Sequence, residues 1–358
     1  MMGGEVDYSA TANPQPLFNV LRDTAPVIEL GEDMGGMVIV GDNAGIVRAF
    51  GEPWLAALLP GSSATSSPGP TPGVGAQLEL VATLDARSSE LDHPSGMDLG
   101  PDGKLYVVNA LASEILVLEP EGGTILRRWG SKGSDPGQFD FVRDVAESQS
   151  AIGGVAVAAD WTVYVADTVN RRVQKFDSKG TPLGQWGRFG EENGQFLEPI
   201  DIDVGPEGRV YVVDDQRDDI QVFTRDGEFI NAIGEHGTGD GQLNFTSGIF
   251  VGPDGTVYNA DWDNHRVQAW DAEGTFLWTI GTRGSSPGQF THPADVIADS
   301  SGRIHITDQG RIQTLTSDGK LLGVLPTGLD AFLMAVGDGV AFVSAQFNDQ
   351  IHVYRILD

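Results

Sequence analysis

The chain has 358 residues, a formal net charge of −29 with 51 acidic against 22 basic side chains, and no cysteine. Its averaged field repels polyanions, which disfavours nucleic acid and anionic membrane surfaces as partners, because Lys and Arg contacts to phosphate supply most of such affinity. Cationic ligands, divalent metals or basic protein patches fit better, and the missing thiols rule out disulfides and thiolate metal sites without assigning a compartment.

In chain order, residues 1–56 read as a small β element. Residues 26–30, 37–40 and 46–50 are short runs rich in β-branched side chains, with Gly35-Gly36 between the first two. Residues 57–76, where Ser62, Ser63, Ser66, Ser67, Pro68, Pro70 and Pro72 crowd together, read as a flexible or partly extended linker that cannot bury a core. The apolar run 54–59 is far shorter than the roughly 20 residues a membrane span needs. The acidic start, residues 1–7, lacks the apolar stretch of a secretory leader. The expectation is a soluble protein, and the Ser/Pro/Thr linker favours an extracytoplasmic setting.

From residue 77 the chain repeats itself. A tag recurs at Gly137-Gln138-Phe139, Gly194-Gln195-Phe196, Gly241-Gln242-Leu243 and Gly288-Gln289-Phe290, spaced 57, 47 and 47 residues apart. A period of roughly 40–50 residues with strand signals throughout marks a propeller blade rather than a helical solenoid. After each tag come an apolar stretch such as 200–204, a turn such as Pro206-Glu207-Gly208, a second strand such as 210–214 and a polar loop. A third strand such as 172–176, an Asp-x-x-Gly turn (Asp177 to Gly180) and a fourth strand ending at Trp186-Gly187 complete an antiparallel meander. Second strands fall at 105–109, 163–167, 210–214, 257–261, 304–308 and 340–344, which makes six blades. The last copy ends after three strands, and residues 77–84 have no partner of their own. The fold class is therefore all-β, a six-bladed β-propeller of four-stranded antiparallel blades over 77–358, closed by an N-terminal strand (about 77–84) completing the last blade.

These residues resemble the NHL-repeat propellers. The best copy is Val163-Tyr164-Val165-Ala166-Asp167 followed by Asn170, Arg171, Arg172, Val173, Gln174, Lys175 and Phe176, seconded by residues 257–270 with Asn264, His265 and Arg266. The resemblance implies the fold and no single chemistry, since the family spans scaffolds, RNA binders and a lyase. The related amidating lyase holds zinc with histidines at positions that match Ser95, Gly153, Ile200, Ser247 and Ala294, none of which is His, so that zinc triad is absent. No Gly-x-Ser-x-Gly elbow or P-loop occurs either.

The loops leading into the innermost strand and those joining strands two and three share one face, around the channel mouth, and candidate residues cluster there. An acidic run holds Asp214, Asp215, Asp218, Asp219, Asp261 and Asp263. Such carboxylates suit a hard cation, although Asp214 and Asp261 occupy the repeat position of Asp167 and Asp308, where an Asp most simply bonds the backbone of its own loop. On the inner strands, Asp98, Asp201, Asp203 and Asp295 face the channel. Asp201 and Asp295 stand where other copies have Gly96, Gly154 and Gly248. They form either a central divalent-cation site, calcium by preference, or a water-filled acidic lining; the gluconolactonase-like propellers hold a catalytic metal at such a place. His93 and His292 each precede a Pro, and a pair alone falls short of a metal site. An insertion of about nine residues after Phe139 brings Phe141, Arg143, Asp144 and Glu147 over the mouth, as a loop or a short capping helix. The expected function is a non-catalytic module that binds a protein, small-molecule or cationic ligand through this face, with Phe141, Trp262 and Phe347 as apolar anchors beside Arg143, Asp215, Asp218, Asp219, Asp263 and His265. The alternative is a metal-dependent hydrolase or lyase using the channel carboxylates.

Overall fold

The computed structural model describes the strand backbone at 27–29, 38–41 and 47–50, and residues 77–85, 90–145, 148–328, 332–337 and 339–357. The segment read as a linker, 57–76, lies outside the described residues, as does Glu147. The chain divides into two compact units, Met1–Gly69 and Pro70–Asp358. In the first, Val27–Glu29, Val38–Gly41 and Val47–Phe50 form a three-stranded antiparallel sheet in sequence order, with Val27 opposite Val40 and Val38 opposite Phe50.

The second unit is a six-bladed propeller. Blade 1 runs from Pro94–Leu99 to Ile125–Trp129, blade 2 from Val155–Val157 to Pro182–Trp186, and blade 3 from Pro199–Val204 to Phe229–Ile233. Blade 4 runs from Thr246–Val251 to Phe276–Ile280 and blade 5 from Pro293–Ala298 to Leu321–Pro326. In blade 6, Met334–Gly337, Val340–Ala345 and Gln350–Ile356 are joined by Leu78–Asp85 as the outermost strand. That strand pairs antiparallel with the C-terminal one, Leu84 opposite Ile351 and Leu78 opposite Ile356, and both leucines are buried. Arg303 of blade 5 clasps the seam, donating to Gln77 Oε1 at 3.1 Å and to the Leu357 carbonyl while paired with Asp299 at 2.7 Å. The only helical turn among the described residues is the 3-10 segment Gln346–Asn348, and no described helix is long and apolar enough to cross a membrane.

The repeated tag has a physical reason. The amide of Gly137 donates to Gln174 Oε1 on the third strand of the blade that follows, at 2.9 Å, and Gly194, Gly241 and Gly288 do the same to Gln221, Gln268 and Gln313. The next side chain but one, Phe139, Phe196, Leu243 or Phe290, is fully buried. Arg172 spans the same loop, paired with Asp167 at 2.8 Å and donating to the carbonyls of Ser134, Asp135 and Gln138, so its charge and every N–H are satisfied away from water. Gly180 is required twice over, by its φ of +85° and because a Cβ there would lie 2.6 Å from the Trp129 ring of the preceding blade.

The core is a series of layers between neighbouring blades. One layer joins Tyr106, Val108, Ile115 and Val117 of blade 1 to Val155, Val163, Val165 and Phe176 of blade 2, with Phe139 and Phe141 between them. Phe141 is therefore not an exposed anchor. It is fully buried and stacked on Phe139 with ring centroids 5.2 Å apart, because the hydrophobic gain of filling the gap between two sheets outweighs presenting a ring to solvent. The insertion that carries it is neither loop nor helix but a two-stranded antiparallel hairpin, Val142–Val145 with Ser148–Ala151.

Candidate functional site

The innermost strand of each blade has one edge facing the axis, where its N–H groups lack a ladder partner. The channel carboxylates supply acceptors. Asp98 takes the amide of Val157 on blade 2 at 2.7 Å and that of its neighbour Leu99 at 2.7 Å. Asp203 takes Val251 of blade 4 at 2.6 Å and its neighbour Val204 at 2.7 Å. Asp201 takes Ile249 of blade 4 at 3.0 Å, and Asp295 takes Met334 of blade 6 at 2.6 Å together with Val296 at 2.7 Å. The glycines opposite make room: a Cβ on Gly154 would stand 2.8 Å from the Asp201 Cα, and one on Gly248 would stand 2.9 Å from the Asp295 Cα.

These aspartates are thus staples between blades, and the set does not fit a calcium ion. Both oxygens of Asp98, Asp203 and Asp295 accept strand amides, and Asp201 accepts those of Ile249 and Ile202, whereas calcium wants six to eight oxygens turned toward it. Among the described residues, no three His, Cys, Asp or Glu side chains are placed to share a metal. The axial cavity they line, with Met97, Ile202, Phe250, Ile297 and Val336, measures about 50 Å³, room for roughly three or four waters. Phe332 packs against the apolar cluster that contains Ile152, Ile200 and Ile249.

Burial pushes the channel carboxyls up, with repulsion from neighbouring carboxyls added at Asp98, Asp201 and Asp295, against the pull of the strand amides. Asp98 rises to about 8, Asp201 to about 7 and Asp203 to about 6, and Asp295 lies well above the usual range. Asp201 and Asp295 are 8% and 2% exposed, while Asp98 and Asp203 are half-buried.

On the rim, Arg143 reaches from the hairpin to blade 3, 2.5 Å from Glu198 and 3.1 Å from Asp215. Burial raises Asp215 to about 7, against the attraction of Arg143, and its Oδ1 has no hydrogen-bond partner among the described residues. The other members of the acidic run are also turned inward. Asp214, with Asp167, Asp261 and Asp308, bonds amides of the loop leading into its own blade. Asp218 accepts the Phe245 amide at 2.6 Å and meets His236 Nδ1 at 2.7 Å, and Asp219 pairs with Arg217 at 2.8 Å. Asp215, Asp218 and Asp219 are buried, so they build the face rather than present it. The side chain of Asp144 lies outside the described residues.

What the face does present is aromatic. Trp262 of blade 4 stacks on His292, which leads into blade 5, with centroids 5.2 Å apart and planes at 29°. Phe332, leading into blade 6, stands edge-on to Trp262 at 6.2 Å, and His265 tilts against His292 at 5.3 Å. Gln309 Nε2 lies 3.0 Å from His292 Nδ1. Trp262 and His265 are half-buried and Asp263 is exposed. Phe347 is 70% exposed and packs edge-on against the buried His93 at 5.2 Å, across the junction of blades 6 and 1. Sequence reasoning does not single out Glu198, Gln309 or Phe332, and it discounts His292. For Glu198 and His292 the signal is positional: like His93, each immediately precedes the Pro that opens an inner strand, whereas nothing comparable marks Gln309 or Phe332.

No protein-family model matches the sequence, and no curated protein matches it. Solved structures do. Virginiamycin B lyase from Staphylococcus aureus, in a catalytically inactive form with quinupristin, is 12% identical with a TM-score of 0.54, covering 94% of this chain and 97% of its own. A gluconolactonase from Xanthomonas campestris is 15% identical with a TM-score of 0.57, covering 81% and 99%. The PQQ-bound aldose sugar dehydrogenase from Streptomyces coelicolor is 13% identical with a TM-score of 0.55, covering 80% and 99%. The shared property is the fold. At such identities a propeller carries no particular chemistry from one protein to another.

Proposed function

We propose that the protein is a non-catalytic propeller of NHL type, a binding module whose recognition surface is the loop face around the channel mouth. The observation that carries this reading is the set of aromatic and imidazole rings from neighbouring blades, Trp262, His265, His292 and Phe332, with Phe347 further round the rim. Aromatic side chains that are partly exposed and held by packing are what recognition surfaces use as anchors. The rival reading, a metal-dependent hydrolase or lyase, draws on the fold shared with gluconolactonase. Against it stand the axial cavity of about 50 Å³ and channel carboxylates already bonded to backbone amides.

A fragment screen by ligand-observed NMR tests the proposal. Hits should cluster at the loop face and be lost in Trp262→Ala and Phe347→Ala, while Leu183→Ser on the exposed outer strand of blade 2 retains them. Hits that survive both rim substitutions, or turnover of a lactone that depends on added calcium, would overturn it.

A further inference from the structure

We infer that the Trp262 cluster is a site for a small organic cation of the quaternary-ammonium class, an inference that rests on the loop face being the recognition surface. Rings from three consecutive blades meet there, Trp262, His292 and Phe332, with centroid separations of 5.2 and 6.2 Å from the indole. An aromatic face carries a negative quadrupole, and an ammonium without N–H bonds, weakly hydrated and wrapped in methyl groups, gains from such faces both the electrostatic attraction and the apolar contact.

Charge favours the same ligand. Asp263, the next residue after Trp262 in the chain, is exposed and takes part in no ion pair among the described residues. Among the described residues, no Lys or Arg stacks on any ring of the cluster; the two cation–π contacts in the chain are at Phe189 and Tyr164. With a net charge of −29 behind it, the cluster attracts a cation and repels a phosphate or carboxylate. A neutral polyol would need several hydrogen-bonding groups beside the ring, and Gln309 is already turned toward His292. Phe332 packs against the apolar cluster of Ile152, Ile200 and Ile249, which fixes one wall of the site.

The experiment titrates the full chain with choline and with its uncharged isostere 3,3-dimethylbutan-1-ol, following tryptophan fluorescence and confirming the site by loss of the response in Trp262→Ala. Both Trp262 and Asp263 reach solvent, so neither substitution should unfold the protein, and far-UV circular dichroism checks that. Choline should give a saturable change and bind about tenfold more tightly than the alcohol, the difference one desolvated cation–π contact supplies. Asp263→Asn should weaken choline and leave the alcohol unaffected. Equal binding of the two overturns the cation class while the loop face stands as a binding surface. No saturable response to choline overturns the inference outright, and if the fragment screen also finds nothing at the rim, the loop-face reading falls with it.

Discussion

The carboxylate of Asp201 on blade 3 accepts the amide of Ile249 on blade 4 at 3.0 Å while its Cα sits against Gly154 of blade 2. One side chain therefore ties three blades at the axis. Asp295 repeats the arrangement between Gly248 of blade 4 and Met334 of blade 6. The acidity of the channel is thus an answer to unpaired strand amides, bought with carboxyls that are hard to ionise.

That cost sets a pH dependence. Each channel carboxyl has a folded-state pKa above its unfolded value of 3.8, so its contribution to stability is fully present below that value and is lost as pH rises through the folded pKa. The window runs through about 6 for Asp203, about 7 for Asp201 and about 8 for Asp98. Each pH unit between the unfolded and folded values is worth about 1.4 kcal/mol. Thermal unfolding should therefore show Tm falling between about pH 4 and pH 8, with a shallower slope in Asp201→Asn. A Tm that is flat or rising across this range would contradict the assignment.

The glycines beside the aspartates should be intolerant. Gly248→Ala places a Cβ 2.9 Å from the Asp295 backbone and should cost about 1–3 kcal/mol in denaturant unfolding. Gly184→Ala, on an exposed outer strand with nothing within 4 Å, should be neutral or mildly stabilising.

Arg143 pins the hairpin to blade 3, so Arg143→Ala should speed amide exchange in Val142–Val145 and Ser148–Ala151 while leaving blade 5 unchanged. It also strands Asp215 without its cation. The double substitution Arg143→Ala with Asp215→Asn should recover part of the lost stability, since removing both members of a buried pair costs less than removing one.

The closing strand is the ring's mechanical seam. Leu84→Ala, at a fully packed position opposite Ile351, should cost about 2–5 kcal/mol. Deleting residues 1–69 should leave a folded propeller, because the second compact unit begins at Pro70, whereas deleting 1–86 exposes the edge of Gln350–Ile356 and should give aggregation on refolding. Size-exclusion chromatography of the two truncations distinguishes these outcomes.

The loop of blade 3 shows where reading by repeat runs out. In blades 2 and 4 the arginine stands five residues after the aspartate that closes the second strand, Asp167 to Arg172 and Asp261 to Arg266, but blade 3 has Asp219 there and Arg217 two residues earlier. Arg217 still reaches the carbonyl of Glu191, the equivalent of Ser134 that Arg172 holds. Asp219, which in the sequence looks like part of an acidic binding run, is thus one repeat solving the same capping problem with its charges rearranged, while Asp215 and Asp218 are held by Arg143 and by Phe245 with His236.

Blade number and strand order were legible from the residues alone, because each blade is a meander whose partners lie a turn apart and whose apolar alternation and Gly turns are local signals, and the latching strand was legible because the last copy is one strand short while Leu78–Asp85 has no neighbour in sequence to pair with. The direction of the channel carboxylates, the burial of Phe141, the grip of Arg143 on Asp215 and the stacking of Trp262 on His292 were decided only by tertiary structure. They depend on how neighbouring blades twist and pack, and that angle is set by the summed contacts of two whole sheets, which no single segment of the chain encodes.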